Sequence, residues 1–330
     1  MFLSSTDRRW CCSRYVMLLG MILAFASLAP LCFAAGIRDS LKSSDPLPDL
    51  SGLVWISDGI FVAVHDAKNP DELDRPRVSF FGLPTSLEGV LWRPADPAFP
   101  GKKSNDLESI SKIPGTDRFL LSESTDSGSQ FDRIFLAELK GETIQIVGET
   151  NWRAFTQPYN VEATAVVRGN DGELSFIWAE RNSGKPNTKI NWTKLSLDPF
   201  RIGGGLISSV EFQLPASAYD EDGKPLYDRS IVAMDVDSRA QIYVAATQDP
   251  EGFSATADDG PFRSVIYKIG KFGEGGVVLD AEPVVMGVLD GLKVESVALR
   301  EHQGKREIFV GTDDENYGGI LRVMPTEEAR

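Results

Sequence analysis

The chain has 330 residues, 42% of them hydrophobic and 25% charged, which fits one large globular domain or two ordinary ones and excludes collagen-like, coiled-coil and low-complexity chains. Lys and Arg number 34 against 48 Asp and Glu, a net charge of −14, so no broad basic face exists to neutralise phosphate backbones, and nucleic acid is not an expected partner. Two His and three Cys give no material for a His-rich zinc site or a disulfide framework, whereas the acid excess favours hard cations, calcium first.

Arg8, Arg9 and Arg14 precede an apolar run over residues 16–33 that ends in Cys32, Phe33 and Ala34. This is the pattern of a secretory signal, with cleavage expected after Ala34 and an uncleaved anchor as the alternative. The expectation is residues 1–34 as signal and 35–330 as one domain, exported to the periplasm or secreted, with no membrane association beyond the leader. Cys11, Cys12 and Cys32 all lie in the leader, so the mature chain is thiol-free, and loss of three Arg and one Asp takes its charge to −16.

Beyond residue 34, short runs of Val, Ile, Phe and Leu alternate with Gly, Asp, Asn and Pro, which marks an all-β chain. Five segments share one order, apolar then small or acidic then small then apolar, followed about ten residues later by a buried strand ending in acids. In chain order they are Leu50-Ser51-Gly52-Leu53, leading to the strand before His65-Asp66; Leu107-Glu108-Ser109-Ile110, leading to Glu123; Val161-Glu162-Ala163-Thr164, leading to Glu180-Arg181; Ile231-Val232-Ala233-Met234, leading to Asp249; and Val294-Glu295-Ser296-Val297, leading to Asp313. A third strand follows in the later units, over residues 133–139, 189–195, 265–269 and 320–324. The expected fold is a β-propeller of four-stranded antiparallel blades, five in number with six as the alternative. The last unit ends without a fourth strand, so an N-terminal strand from residues 36–49 is expected to close the ring. Leu87-Glu88-Gly89-Val90 mimics the motif and reads as a fourth strand or an insertion, and the extra length goes into loops at 215–228 and 249–263.

In an antiparallel blade the start of the first strand and the end of the second lie at one edge, so both acidic sets gather at one mouth. Glu108, Glu162 and Glu295 share a position on the strands nearest the axis, with Ser51 and Val232 in the other two units, and Asp66, Glu123, Glu180, Asp249 and Asp313 form a wider ring. Carboxylates converging on an axis repel unless protonated or bridged by a cation. The expected cofactor is an axial Ca²⁺ held by Glu108, Glu162 and Glu295, with Ser51, Ser230, backbone carbonyls or water completing its 6 to 8 oxygen ligands. The competing reading has these acids accept backbone N–H bonds at strand starts and turns. His65, Arg181 and Lys185 are candidate catalytic groups, to shuttle protons or hold an anionic group. Asn191-Trp192-Thr193 fits a glycosylation acceptor but falls in an expected strand, and no nucleophile elbow, Walker loop or zinc-protease motif occurs.

The run Asn105-Asp106-Leu107-Glu108-Ser109-Ile110, with Phe119-Leu120-Leu121-Ser122-Glu123-Ser124, resembles the D-x-E-G-I and E-S/R pattern of secreted propellers grouped as phytase-like, or esterase-like-activity-of-phytase, domains. Asp49-Leu50-Ser51-Gly52-Leu53 with Val62-Ala63-Val64-His65-Asp66, and Asn160-Val161-Glu162-Ala163 with Ala179-Glu180-Arg181-Asn182, resemble the first and third blade motifs of that family. The order Ser51, Glu108, Glu162, Ser230 or Val232, Glu295 is also similar to the five-bladed calcium-activated nucleotidases, in which Ser and Glu alternate around an axial calcium. These resemblances imply a propeller with a central metal and either a small-molecule or protein partner or a phosphorylated substrate. Two functions stand from the sequence: a calcium-binding module for a ligand or partner protein, and a calcium-dependent phosphate-ester or ester hydrolase. A glycosidic propeller is a third, requiring paired carboxylates beside an aromatic platform.

Overall fold

The computed structural model describes residues 36–42, 46–68, 72–84, 89–125, 131–158, 160–181, 186–248, 262–302, 304–313 and 318–324. The leader, Glu88, Lys185 and Asp249 lie outside the described residues.

The alternating runs fold as five antiparallel sheets. The first is β1 (Gly52–Ser57), β2 (Ile60–Val64), β3 (Val78–Gly82) and β4 (Leu91–Pro94), paired in that order. The second is β5 (Leu107–Lys112), β6 (Arg118–Glu123), β7 (Arg133–Lys140) and β8 (Thr143–Asn151). In the third, β9 (Val161–Arg168) and β10 (Leu174–Glu180) are followed by β11 (Asn187–Leu197), whose outer edge is shared by β12 (Phe200–Ile202) and β13 (Ser208–Gln213). A small hairpin, β14 (Ala218–Tyr219) and β15 (Pro225–Leu226), falls in the long 215–228 loop. The fourth sheet is β16 (Arg229–Val236), β17 (Gln241–Gln248), β18 (Arg263–Gly273) and β19 (Gly276–Asp290), and the fifth is β20 (Val294–His302), β21 (Lys305–Thr312) and β22 (Leu321–Val323).

The innermost strands touch in a closed cycle, β1 to β5 to β9 to β16 to β20 and back to β1, which makes the molecule a five-bladed β-propeller. No sixth blade exists among the described residues, and of the Leu87-Glu88-Gly89-Val90 mimic only Gly89 and Val90 are described, just before β4. Side chains on a strand alternate between faces, so each blade feeds two neighbours, and five apolar clusters fill the five gaps. Phe119 and Leu121 face blade 1 while Leu120 on the same strand faces blade 3. Trp152, Phe176 and Trp178 fill the gap between blades 2 and 3, with the two indoles 5.9 Å apart edge to face. Blade 5 meets blade 1 through Phe61 and Phe309, 4.9 Å between ring centroids, so the ring closes on apolar packing.

The expected N-terminal closing strand takes a different form. Residues 36–40 make one helical turn whose Ile37 and Leu41 pack beside blade 1, and Lys42 bridges to Trp92 on the outer edge of that blade. Further on, Leu50 N–H donates to Thr312 O at 3.0 Å and Gly319 N–H to Leu47 O at 3.0 Å, which ties the segment to the last blade without adding a registered fourth strand to β20–β22. Pro46 and Pro48 explain this, because each removes an N–H that a ladder would need.

Candidate functional site

A repeated irregularity builds the mouth. On β5 the ladder pairs Leu107 with Glu123 and Ser109 with Ser122, leaving Glu108 as a bulge with no opposite residue. The same bulge recurs at Glu162 between Val161 and Ala163, at Val232 between Ile231 and Ala233, and at Glu295 between Val294 and Ser296. A bulge turns its extra side chain out of the sheet, and at the innermost strand of a propeller the free direction is the axis. In blade 1, Ser51 stands just before β1 in the matching place, with its Oγ accepting the Asp66 N–H at 3.1 Å.

The bulge also settles which residue of blade 4 belongs to this ring. The register equivalent of the three glutamates is Val232, whereas Ser230 pairs directly with Thr247 and belongs to a second ring two residues earlier in each strand. That outer ring comprises Asp49, Asp106, Asn160, Ser230 and Lys293, and three of its members have the same backbone role: the Ser124, Arg181 and Asp313 N–H groups donate to the carbonyls of Asp106, Asn160 and Lys293 at 2.8, 2.9 and 3.1 Å. Asp106 and Asn160 hold φ values of 62° and 42°, a left-handed conformation to which Asp and Asn are suited.

The expected wider ring of acids divides. Asp66 and Asp313 do reach the mouth. Glu123 instead is fully buried within blade 2, where it accepts from Arg133 Nη2 at 2.6 Å, Arg133 Nε at 2.9 Å and Ser104 Oγ at 2.7 Å. Glu180 sits half-buried in the ladder opposite Val161, and its carbonyl accepts Thr188 Oγ1 at 2.8 Å.

Among the candidate catalytic groups, Arg181 lies in the mouth and binds Glu162 Oε1 through Nη1 at 2.8 Å. His65 is 3% exposed and both ring nitrogens are engaged, Nδ1 with the Asp49 carbonyl and Nε2 with Ser79 Oγ at 3.0 Å. Burial pushes its imidazole down to about 4, so His65 is a neutral structural group and not a proton shuttle at neutral pH. The sequon asparagine Asn191 is 8% exposed within β11, which removes it as a glycan acceptor.

Acids outnumber bases in this cluster. One oxygen each from Asp66, Asp106 and Glu108 lie within 4.8 Å of one another, and Lys68 Nζ stands 3.3 Å from Asp106 and 3.8 Å from Asp66. Lys293 reaches Glu295 at 3.3 Å and Asp313 at 3.8 Å, and Arg75 reaches Asp49 at 3.9 Å. Glu108 is pushed well above the usual carboxylate range by burial and then by Asp106, Glu162, Asp66 and Glu295. Glu295 rises for the same reasons, burial and then Asp313, with Lys293 and Arg181 opposing. Asp49 and Asp66 are each raised to about 7 by burial and by Asp313. Burial alone would lower the Lys68 ammonium, but Asp106, Asp66 and Glu108 outweigh it and hold it above its ordinary value. These mutual influences put the three bulge glutamates within electrostatic reach of one another. Beside the ring a cavity of about 390 Å³ opens between Asp49, His65, Asp66, Arg75 and Trp92.

Sequence reasoning missed Asp49, Asp106 and Lys293 as site members. Their signal was present as a residue two places before each axial position, in Asp49-x-Ser51, Asp106-x-Glu108 and Lys293-x-Glu295.

No protein-family model matches the chain, and no curated protein does. Solved structures share its fold. The endo-arabinase of Bacteroides thetaiotaomicron superposes with a TM-score of 0.51 at 10% identity, over 86% of this chain and 97% of that one. The GH32 β-fructofuranosidase of Bombyx mori gives 0.49 at 12% identity over 90% and 67%, and the Malassezia sympodialis allergen Mala s 1 gives 0.42 at 9% over 83% and 91%. At such identities the likeness is one of fold.

Proposed function

We propose that the chain is an exported, phytase-like calcium-binding β-propeller, whose acidic mouth holds an axial Ca²⁺ and receives a small polar ligand or a partner protein. The observation that carries this reading is the bulge repeated at the buried Glu162 and Glu295 and the half-buried Glu108, whose carboxylates influence one another where acids exceed cations. Bulges of this kind interrupt a ladder at a cost, and their recurrence in register is better explained by a shared ligand than by solubility. The donors are all oxygens on a wide radial frame, which suits calcium better than the tight octahedron that magnesium requires. Ser51 stands in the same ring, Val232 leaves the fourth side to backbone carbonyls or water, and Ser230 serves from the outer ring. Isothermal titration of the metal-free protein with calcium chloride tests this. One site per chain is expected, weakened at least roughly tenfold by Glu162→Gln. Heat that is absent, or unchanged in Glu162→Gln, would overturn it.

A hydrolytic reading uses the same residues. The cavity beside the ring, with Arg75 in its lining, favours it by offering room and a cation for an anionic ester. Bound calcium would supply Lewis-acid polarisation of that ester, while Arg181 and Lys185 hold the leaving charge. Some fold neighbours are named as hydrolases of glycosidic bonds, so a screen should pair p-nitrophenyl phosphate with p-nitrophenyl arabinofuranoside, each with calcium and with chelator. Turnover of neither leaves the binding reading alone.

A further inference from the structure

The face opposite the mouth carries a second cavity, of about 500 Å³, between the β9–β10 turn and β11 of blade 3 and the β18–β19 hairpin of blade 4. This size falls within the range of about 300–1,000 Å³ common to small-ligand sites. Its chemistry is mixed in a specific way. Trp192 and Phe272 supply aromatic surface, both half-buried against the core between these blades. An added Cβ at Gly276 would lie 2.2 Å from Trp192 Cζ2, so the indole packs directly on the hairpin backbone, and only glycine permits that approach.

Polar groups surround the aromatics. Ser175 on β10 lines the cavity, half-buried, on the same face of the sheet as Trp192, and brings a hydroxyl to it. Asn170, Asp171 and Glu274 stand exposed at the rim and offer acceptors and an amide. The cation among the lining residues, Lys194, is paired with Glu173, so the cavity rejects anions. Leu206, 87% exposed at its edge, adds further apolar surface.

Aromatic faces for C–H stacking, several acceptors for hydroxyl hydrogens and no free positive charge among the described lining residues together describe the recognition of a neutral sugar. We propose that this groove binds a neutral oligosaccharide, stacked on Trp192 and Phe272 and hydrogen-bonded to Ser175, Asp171 and Glu274. The site is separate from the acidic mouth and independent of its metal.

Calorimetric titration of the mature protein with cellohexaose, xylohexaose and arabinohexaose, each with and without chelator, tests the proposal. At least one sugar is expected to bind with millimolar or better affinity, to change tryptophan fluorescence, and to bind equally with chelator present. Trp192→Ala should abolish this. Because that variant removes packing, Glu274→Ala at the exposed hairpin tip provides the second arm and should weaken binding roughly tenfold with the melting temperature unchanged. Binding by none of the three sugars, binding that survives both substitutions, or binding lost on chelation would overturn the proposal.

Discussion

The two ends of the central axis are made by the same five strands and satisfy their polar groups in opposite ways. At the mouth, bulges send Glu108, Glu162 and Glu295 inward, and burial and mutual repulsion hold Glu108 and Glu295 well above the usual carboxylate range. At the far end blade 1 carries a bulge of its own at Ile56, and the charges that arrive there meet backbone partners. Asp235 at the end of β16 accepts the Leu299 N–H at 2.7 Å and the Val236 N–H at 2.8 Å. Lys112 at the end of β5 donates to the carbonyls of Trp55 and Ile56, both at 3.3 Å, and sits 5.4 Å from the Trp55 ring centroid. One end is a seal and the other is a socket. The lesson is that the difference lies in the partners offered, carboxylates facing carboxylates at the mouth and charges facing backbone groups at the far end.

The largest expected effect breaks the seal. Asp235→Ala leaves two backbone N–H groups without their acceptor and should cost about 2–4 kcal/mol in urea unfolding. A change within 0.5 kcal/mol, roughly the level of a neutral surface substitution, would show that the far end contributes little.

The next effect concerns pH. Asp49 and Asp66 are raised to about 7 from 3.8, so the folded protein keeps protons that the unfolded chain has released; their contribution is complete below about pH 4 and is lost as pH rises through 7. His65 runs the other way: its contribution is present above 6.5 and is lost as pH falls to about 4. The carboxylates outnumber it, so the metal-free protein should be more stable at pH 5 than at pH 8, by on the order of 2 kcal/mol. Chelator-treated melts at the two values check the sign.

Glu108→Gln sharpens the socket side. At about pH 8 the substitution removes a carboxylate that its neighbours disfavour, and it should stabilise the metal-free protein by about 1 kcal/mol, or about 2 °C. The smallest effect is at the seal again. Lys112→Met keeps the buried stem and loses two long hydrogen bonds, a change of less than about 1 kcal/mol.

Much of this architecture was legible in the sequence because each blade states it twice, as an inner motif and as the buried strand that follows. The five inner strands, the five-fold count and the shared position of Glu108, Glu162 and Glu295 on those strands follow from that repeat. What hid the rest was register and distant pairing. A bulge adds one residue, so whether Ser230 or Val232 matched the glutamates could not be read from spacing. Glu123 has the look of a mouth acid, yet Arg133, ten residues later on the next strand, claims it. Residues 36–49 contain apolar positions suited to a strand, but Pro46 and Pro48 block the ladder they would need. The far-face groove joins the tip of one blade to a hairpin of the next, a meeting that no local pattern encodes.

The central claim, that the bulged glutamates form a calcium socket, is tested most directly by thermal melts of residues 35–330 and of its Glu108→Gln variant across a calcium titration from a verified metal-free start. The account predicts a melting temperature that climbs with free calcium in the parent, by the equivalent of about 2–3 kcal/mol at one hundred times the Kd, and a flat response in Glu108→Gln. A parent melt that ignores calcium, or a variant that responds as the parent does, would contradict it.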